Sequence, residues 1–327
     1  MPKTVLILDG DSIAYRCAAA AEERYIKVTH QPSQQSKIFK HRTEFKKTML
    51  ERGKEITEDY LIEDQQDPEP IAYCLSTINN HIKRIADKVE PDEIKIFAGE
   101  QFNFRLELPL PIKRYKGNRS NTIRPVHLKE AKNYLQTKFK AREAVGHEVD
   151  DACSYAAYDA LRAGDKAVMY FYDKDQYQLD GVTLMYDNDF MDYEVVPELG
   201  SLRLDKSAVK GLGLKFLAYQ WICSDPVDCY CAYDLSKVRF GAKSAYNVLN
   251  GKQTAQEVLL AVINQFKTFY PDKFEYKDWR GQEHEGDWFK MMQMYYSCCR
   301  MMRSKDDKLD CLDLFNQYGV DLDVKSW

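Results

Sequence analysis

Glu148-Val149-Asp150-Asp151 opens a stretch that continues through Ala152, Ala156, Ala157, Ala160 and Leu161 to Gly164. It then runs through Ala167-Val168-Met169-Tyr170-Phe171-Tyr172 to Asp173-Lys174-Asp175. The small apolar residues recur at helical spacing, Gly164 suits a C-cap, and the apolar run reads as a buried strand. Three acids therefore stand at a helix N-terminus and two more follow the end of a strand. In an open α/β sheet, ligand sites gather at the carboxyl ends of the strands. Five carboxylates gathered there repel one another unless they share protons or bind hard cations. The second solution points to Mg2+ or Mn2+. The plain alternative is a solvated helix cap followed by an ordinary acidic turn.

Val5-Leu6-Ile7-Leu8 is a continuous apolar run, as a parallel strand buried on both faces requires. It ends at Asp9-Gly10-Asp11-Ser12, and Ser12 suits the cap of a helix over 13–21. Haloacid-dehalogenase-type phosphatases also place Asp-x-Asp after their first strand, so this feature by itself fits two enzyme classes. Ile94-Lys95-Ile96-Phe97-Ala98 is the next strand, with Glu100 just beyond it, and 141–145 and 181–186 read as further strands. Apolar spacing predicts helices over 71–89, 126–140, 212–222, 240–249, 254–269 and 288–302. The fold class expected is α/β: a central, mostly parallel, twisted sheet flanked by helices, followed by a helical C-terminal region. The domains expected are 1–200 and 201–327. Residues 26–70 have weak periodicity and many charges, and read as a partly mobile insertion.

The chain of 327 residues is long enough for one large domain or two. No apolar run approaches ~18 residues, so no membrane partner is expected. Met1-Pro2-Lys3 leads into a run too short and too soon acidic for a signal peptide. Nine cysteines without that signal suggest reduced thiols used for packing. Cys223, Cys229 and Cys231 lack the spacing of a zinc site.

The net charge of −4 argues at first against a polyanionic partner, but the charges are unevenly placed. Residues 101–145 hold eleven Lys or Arg against three Glu. Arg105, Lys113, Arg114, Lys116, Arg119 and Arg124 surround Tyr115, a pattern suited to phosphates and a stacked base. Farther on, Asp225-Pro226-Val227-Asp228 sets two carboxylates three apart, on one face if the segment is a helical turn. Gly241-Ala242-Lys243 starts a helix whose free amides suit a phosphate beside Lys243.

Taken in order, these stretches resemble the 5′–3′ exonuclease and flap endonuclease superfamily, especially its phage members. The resemblance rests on Leu8-Asp9-Gly10, Phe104-Arg105-Leu106-Glu107, Tyr115-Lys116-Gly117-Asn118-Arg119, Glu148-Val149-Asp150-Asp151, Asp173-Lys174-Asp175, and Asp225-Pro226-Val227-Asp228 with Gly241-Ala242-Lys243. It spans residues 8–249 and leaves the C-terminal quarter unassigned. It implies a PIN-like domain, a helix–three-turn–helix over about 225–247 gripping duplex DNA, and two-metal phosphodiester hydrolysis leaving 5′ phosphates. Asp9, Glu100, Glu148 and Asp150 are the implied ligands of a first ion. Asp173, Asp175, Asp225 and Asp228 are those of a second, with Asp151 between them or behind. Asp11 stands as an outer acid. Neutralising these ten acids turns the net charge of −4 into +6. Lys116 and Arg119 are the implied basic pair at the scissile phosphate, with Tyr115 stacking beside them.

The family's Gly-Asp-x-x-Asp-Asn appears here with Ser224 and Cys229 at its outer positions. Its glycine-rich turn, on whose carbonyls the resemblance places K+, is reduced to Gly241. DNA with a free 5′ end, a flap or a nick is the implied partner, with RNA/DNA hybrids a further option. The phage flavour of the match implies action in a bacterial cytosol. A phosphatase using Asp9 and Asp11, and a DNA-binding protein without catalysis, are the rival readings.

Overall fold

Four consecutive side chains, Val5 to Leu8, are at most 1% exposed, because their strand β1 (Thr4–Asp9) has a strand on each side and packing on both faces. The computed structural model describes residues 2–188 and 190–322, with the backbone alone for Glu100, Gln101, Ser120 and Asn121. Helix α1 (Gly10–Ala20) follows β1 without a loop. A Cβ at Gly10 would lie 2.5 Å from the Phe97 carbonyl oxygen, so the close approach there needs glycine. Among the described residues, 11–84 with 123–140 form one compact unit, and 2–10, 85–122 and 141–322 form another. Neither unit is bounded at residue 200.

The expected insertion over 26–70 folds within the first unit. Strands β2 (Glu22–His30), β3 (Gln35–Phe39) and β4 (Tyr60–Pro68) form an antiparallel sheet in the order β3-β2-β4, with helix α2 (Arg42–Glu51) between β3 and β4 in the chain. Ile26, Val28, Phe39, Phe45 and Met49 make its core. The apolar residues are few because this sheet buries one small face, which is why the periodicity looks weak. Helix α3 (Ile71–Val89) buries Ile78, Ile82 and Ile85 as its spacing predicts, and α4 (Leu128–Lys138) buries Ala131 and Leu135.

In the other unit β1 lies at the centre of a six-stranded sheet. Its members are β5 (Glu93–Asn103), β6 (Arg142–Gly146), β7 (Lys166–Tyr170), β8 (Thr183–Met185) and β9 (Tyr193–Val195), in the order β6-β5-β1-β7-β8-β9. All pairings are parallel except β8 with β9. The fold class is therefore the expected α/β one. Strand β5 runs past the expected 94–98, and its register with β6 shifts between Gly99 and Asn103.

Helix α5 (Val149–Arg162) packs on this sheet through Ala152, Ala156, Ala157 and Ala160, and ends before Gly164, whose φ of +79° terminates it. A second core gathers α6 (Gly213–Ile222), α7 (Ala242–Leu249), α8 (Ala255–Phe269), α9 (Trp288–Cys299) and α10 (Cys311–Gln317) around Trp221. Met291, Met292, Met294 and Met302 fill that core and Met301 the one beneath α5, as expected, since flexible thioethers suit an irregular core. No helix among the described residues is long and apolar enough to cross a membrane. The nine cysteines are free thiols, seven of them buried.

Candidate metal centre and nucleic-acid interface

Asp9 is the last residue of the central strand, level with Phe97 of β5, so it stands at the carboxyl edge of the sheet. Glu100 lies farther along β5, and its side chain is outside the described residues. Glu148 is the N-cap of α5, with Asp150 and Asp151 in its first turn, where the helix dipole favours negative charge. One ligand oxygen from each of these three acids lies within 4.8 Å of the other two. The stretch from Glu148 thus folds as a helix carrying its acids into one place.

The three acids differ in their freedom. Asp151 is fully buried and accepts from both Arg105 guanidinium nitrogens, from Met302 N at 3.0 Å and from Glu148 N at 3.2 Å. Burial acts to raise its pKa, but the Arg105 charge and hydrogen bonds prevail and hold it below the ordinary carboxylate value. Asp150 is the opposite case. Burial, then the Glu148 charge, lifts its carboxyl well above the usual range despite Lys116. Glu148 and Asp150 are the partly exposed members of the group, and Asp151 is the buried one, fixed by Arg105.

Arg105 is corrected by the same geometry. Expected on a phosphate-binding surface, it is 2% exposed, and donates to Ser297 O at 2.9 Å and Arg300 O at 2.7 Å besides Asp151. Its guanidinium is an internal counterion with no face toward a nucleic acid.

The second acid group comes from two turns. Asp173 caps the short helix Lys174–Gln178 by accepting from Asp175 N at 3.1 Å. Asp225 and Asp228 do not lie on a helix but in the turn between two paired strands, where the Asp225 carboxylate takes over the local bonding. It accepts from Val227 N at 2.9 Å and, more weakly, from Asp228 N at 3.4 Å, between the paired strands Ser224–Asp225 and Tyr230–Cys231. The two carboxylates are nevertheless close enough to act on each other and on Asp175. Burial and then the Asp173 charge raise the Asp175 carboxyl to about 7, with Asp228 and Asp225 adding to the effect. Burial likewise raises Asp228, against Lys116 and together with the charges of Asp225 and Glu148. Asp228 is therefore the member that couples the two groups.

Cations and a phenol occupy the space between them. Lys116 Nζ pairs with Glu148 and lies 3.7 Å from Asp228 Oδ1, while Arg119 Nη2 is 3.1 Å from the same Asp228 oxygen. Burial opposes the Lys116 charge, but Glu148, Asp150 and Asp228 outweigh it and raise its pKa. The Tyr115 hydroxyl stands 3.2 Å from Glu148 Oε2 and 3.4 Å from Asp228 Oδ2, offering one hydrogen to two acids. The ring is 2% exposed in the helical core, so the expected stacking on a base is corrected to a buried bridging role.

The loop is fastened to the acidic turn by its own backbone and amide. Lys116 N donates to Asp228 O at 2.9 Å, and Asn118 Nδ2 donates to Pro226 O and Val227 O at 3.2 and 3.3 Å. Those bonds hold Lys116 at a φ of +52°, uncommon for a residue with a side chain.

The remaining cations are spread out. Lys113 and Lys243 are exposed, and Lys243 lies in the first turn of α7 behind Gly241, whose φ of 174° is extended. Arg114 donates to Leu106 O and lies 5.1 Å from the Trp279 ring, which limits its reach. Arg124 is exposed in the other compact unit, where Asp11 pairs with Lys132 at 2.8 Å. Sequence reading missed Lys174, which pairs with Asp225, and Gln220, which donates to Asp175. A lysine between two aspartates was the available signal for the first. The glutamine inside an apolar helix gave none.

No protein-family model and no curated relative matches the chain. Solved structures of the T5 5′-exonuclease are similar to it. A mutant of that enzyme is 15% identical with a TM-score of 0.45, covering 82% of this chain and 86% of the other. The T5 enzyme with bound zinc is 17% identical with a TM-score of 0.44, covering 82% and 88%. The bacteriophage T5 flap endonuclease in a pseudo-enzyme–product complex with DNA and metal ions is 14% identical with a TM-score of 0.42, covering 91% and 99%.

Proposed function

We propose that this protein is a metal-dependent 5′–3′ exonuclease of the flap-endonuclease kind, hydrolysing DNA phosphodiesters to leave 5′ phosphates. The observation that carries the reading is the placing of Lys116 between Glu148 and Asp228, which brings a cation and two separate acid groups to one spot. The donor set is all carboxylate, which suits a hard divalent ion such as Mg2+ or Mn2+. The raised carboxyls of Asp150 and Asp175 fit the same group, because a cation there would offset the burial, and after it the repulsion, that now favour their protonated forms. Glu148 and Asp150, with Asp9 and Glu100, would hold one ion. Asp173, Asp175, Asp225 and Asp228 would hold the other. When bound, such a pair supplies an acidified water and stabilisation of the leaving oxygen.

The chain's own residues do the rest. Lys116 and Arg119 exchange their carboxylate partners for the substrate phosphate and stabilise charge building on its oxygens, where a cation sheltered from water counts for most. The Tyr115 hydroxyl holds Glu148 and Asp228 in register. Exposed Lys113 and Lys243, and the amides opened by Gly241, take flanking phosphates without reading bases. Binding then weakens steeply with salt.

Incubation of 5′-labelled duplex and flap DNA with Mg2+ or EDTA, beside a small phosphate ester, tests the reading. Metal-dependent nucleotide release supports it. Ester hydrolysis alone would assign the acids to a phosphatase, and binding without turnover would leave a DNA-binding protein.

A further inference from the structure

Residues 297–302, at the end of α9 and just after it, are bonded to Asp151 and Arg105 on one side and to an amide pair leading to Asp175 on the other. On one side Ser297 O and Arg300 O accept from Arg105, and Met302 N donates to Asp151. On the other, Met301 N donates to Gln178 Oε1 at 3.0 Å, and Gln178 Nε2 donates to Cys299 O at 2.8 Å. The same Gln178 nitrogen lies 3.4 Å from Gln220 Oε1, and Gln220 Nε2 donates to Asp175.

The order of donors along this second path is not arbitrary. An amide presents its oxygen to one neighbour and its NH2 to another. Met301 N–H fixes the oxygen of Gln178, so its NH2 faces Cys299 O and the Gln220 oxygen. Gln220 must then turn its own NH2 toward Asp175. The path delivers a hydrogen-bond donor to the Asp175 carboxylate. Gln178 and Gln220 are 1% and 5% exposed, and Arg105 and Asp151 are no more exposed than that, so water does not compete for these bonds.

We propose that residues 297–302 are a positioning spine that sets the separation of the two acid groups, with Gln178 and Gln220 as positioning residues for Asp175. The inference deepens the two-cation reading above and rests on it. A cooperating pair of ions requires a separation of about 3.5–4 Å, and a buried polar network fully satisfied on both sides is a means of fixing such a distance. It also gives the C-terminal quarter a task that none of its own side chains reveals: most of its contacts to the site are made by backbone carbonyls and amides.

Gln220→Met and Gln178→Met keep length and remove the amide. Mn2+ binding to the intact chain, followed by electron paramagnetic resonance, is measured beside thermal unfolding and steady-state kinetics. The expected result is two ions on the unaltered protein. In Gln220→Met one ion should weaken by about 10–100-fold, as for other groups that orient metal ligands, and the other should be unchanged. The Mg2+ requirement should rise in parallel, saturating Mg2+ should restore kcat, and KM for DNA should stay where it was. Gln178→Met should shift the same ion less, and serves if the first variant does not fold. A folded variant that binds both ions as before, whatever its melting temperature, overturns the inference and leaves the nuclease reading intact. Absence of Mn2+ binding by the unaltered protein overturns both.

Discussion

Arg105 holds Asp151 through two guanidinium nitrogens, one at 2.9 Å, with neither residue more than 2% exposed. Removing one partner of such a pair leaves a buried charge without compensation. Arg105→Leu should therefore cost about 3–5 kcal/mol of stability, and Arg105→Leu with Asp151→Leu should recover much of that, as read by urea unfolding. An Arg105→Leu protein as stable as the original, with only weaker DNA binding, would return Arg105 to the surface.

The same pair gives a pH dependence. The Asp151 carboxyl is held below its ordinary value in the folded chain, so its contribution is fully present above the unfolded pKa near 4 and is lost as pH falls through the folded one. Acid unfolding should show a component below about pH 4 that vanishes in Asp151→Asn.

Asp175 works in the opposite sense. Its carboxyl is raised to about 7, by burial first and then by Asp173, so without a divalent ion its ionisation opposes folding. Stability of the cation-free protein should fall as pH rises from the unfolded pKa near 4 to about 7, then level off. Below pH 7 a cation must displace that proton, so Mn2+ binding should weaken as the solution is acidified. Calorimetric titrations at pH 6 and 8 that give equal affinities would remove Asp175 from the cation's neighbourhood.

Lys116→Ala should lower single-turnover cleavage by about 10²–10³, the scale of losing one preorganised charge-stabilising donor, with DNA binding retained. Asp173→Asn should abolish cleavage while sparing binding. An active Asp173→Asn enzyme would exclude that acid from the site.

Much of this was legible in residue order because the signals were local. The alanine spacing of α5, the apolar run of β1 and the acids flanking them all lie within a few residues of one another. What stayed hidden was long-range. Arg105 sits in a basic run that looks like a phosphate surface, yet its partners are Asp151 in α5 and carbonyls near residue 300. Tyr115 has the neighbours of a stacking residue, and only the helical core that closes over it shows that its ring is inside. The turn at Pro226 kept both acids together without the helix that their spacing suggested. Residues 22–68 form a sheet with one small buried face, whose pattern is too sparse to be read from one strand at a time.

The most direct test is anomalous diffraction from crystals soaked in Mn2+. Two peaks are expected, one against Glu148 and Asp150 and one among Asp173, Asp175, Asp225 and Asp228, with Lys116 turned away from Glu148. Side chains left as they are, with Lys116 still paired to Glu148 and no anomalous density among the acids, would contradict the two-cation reading.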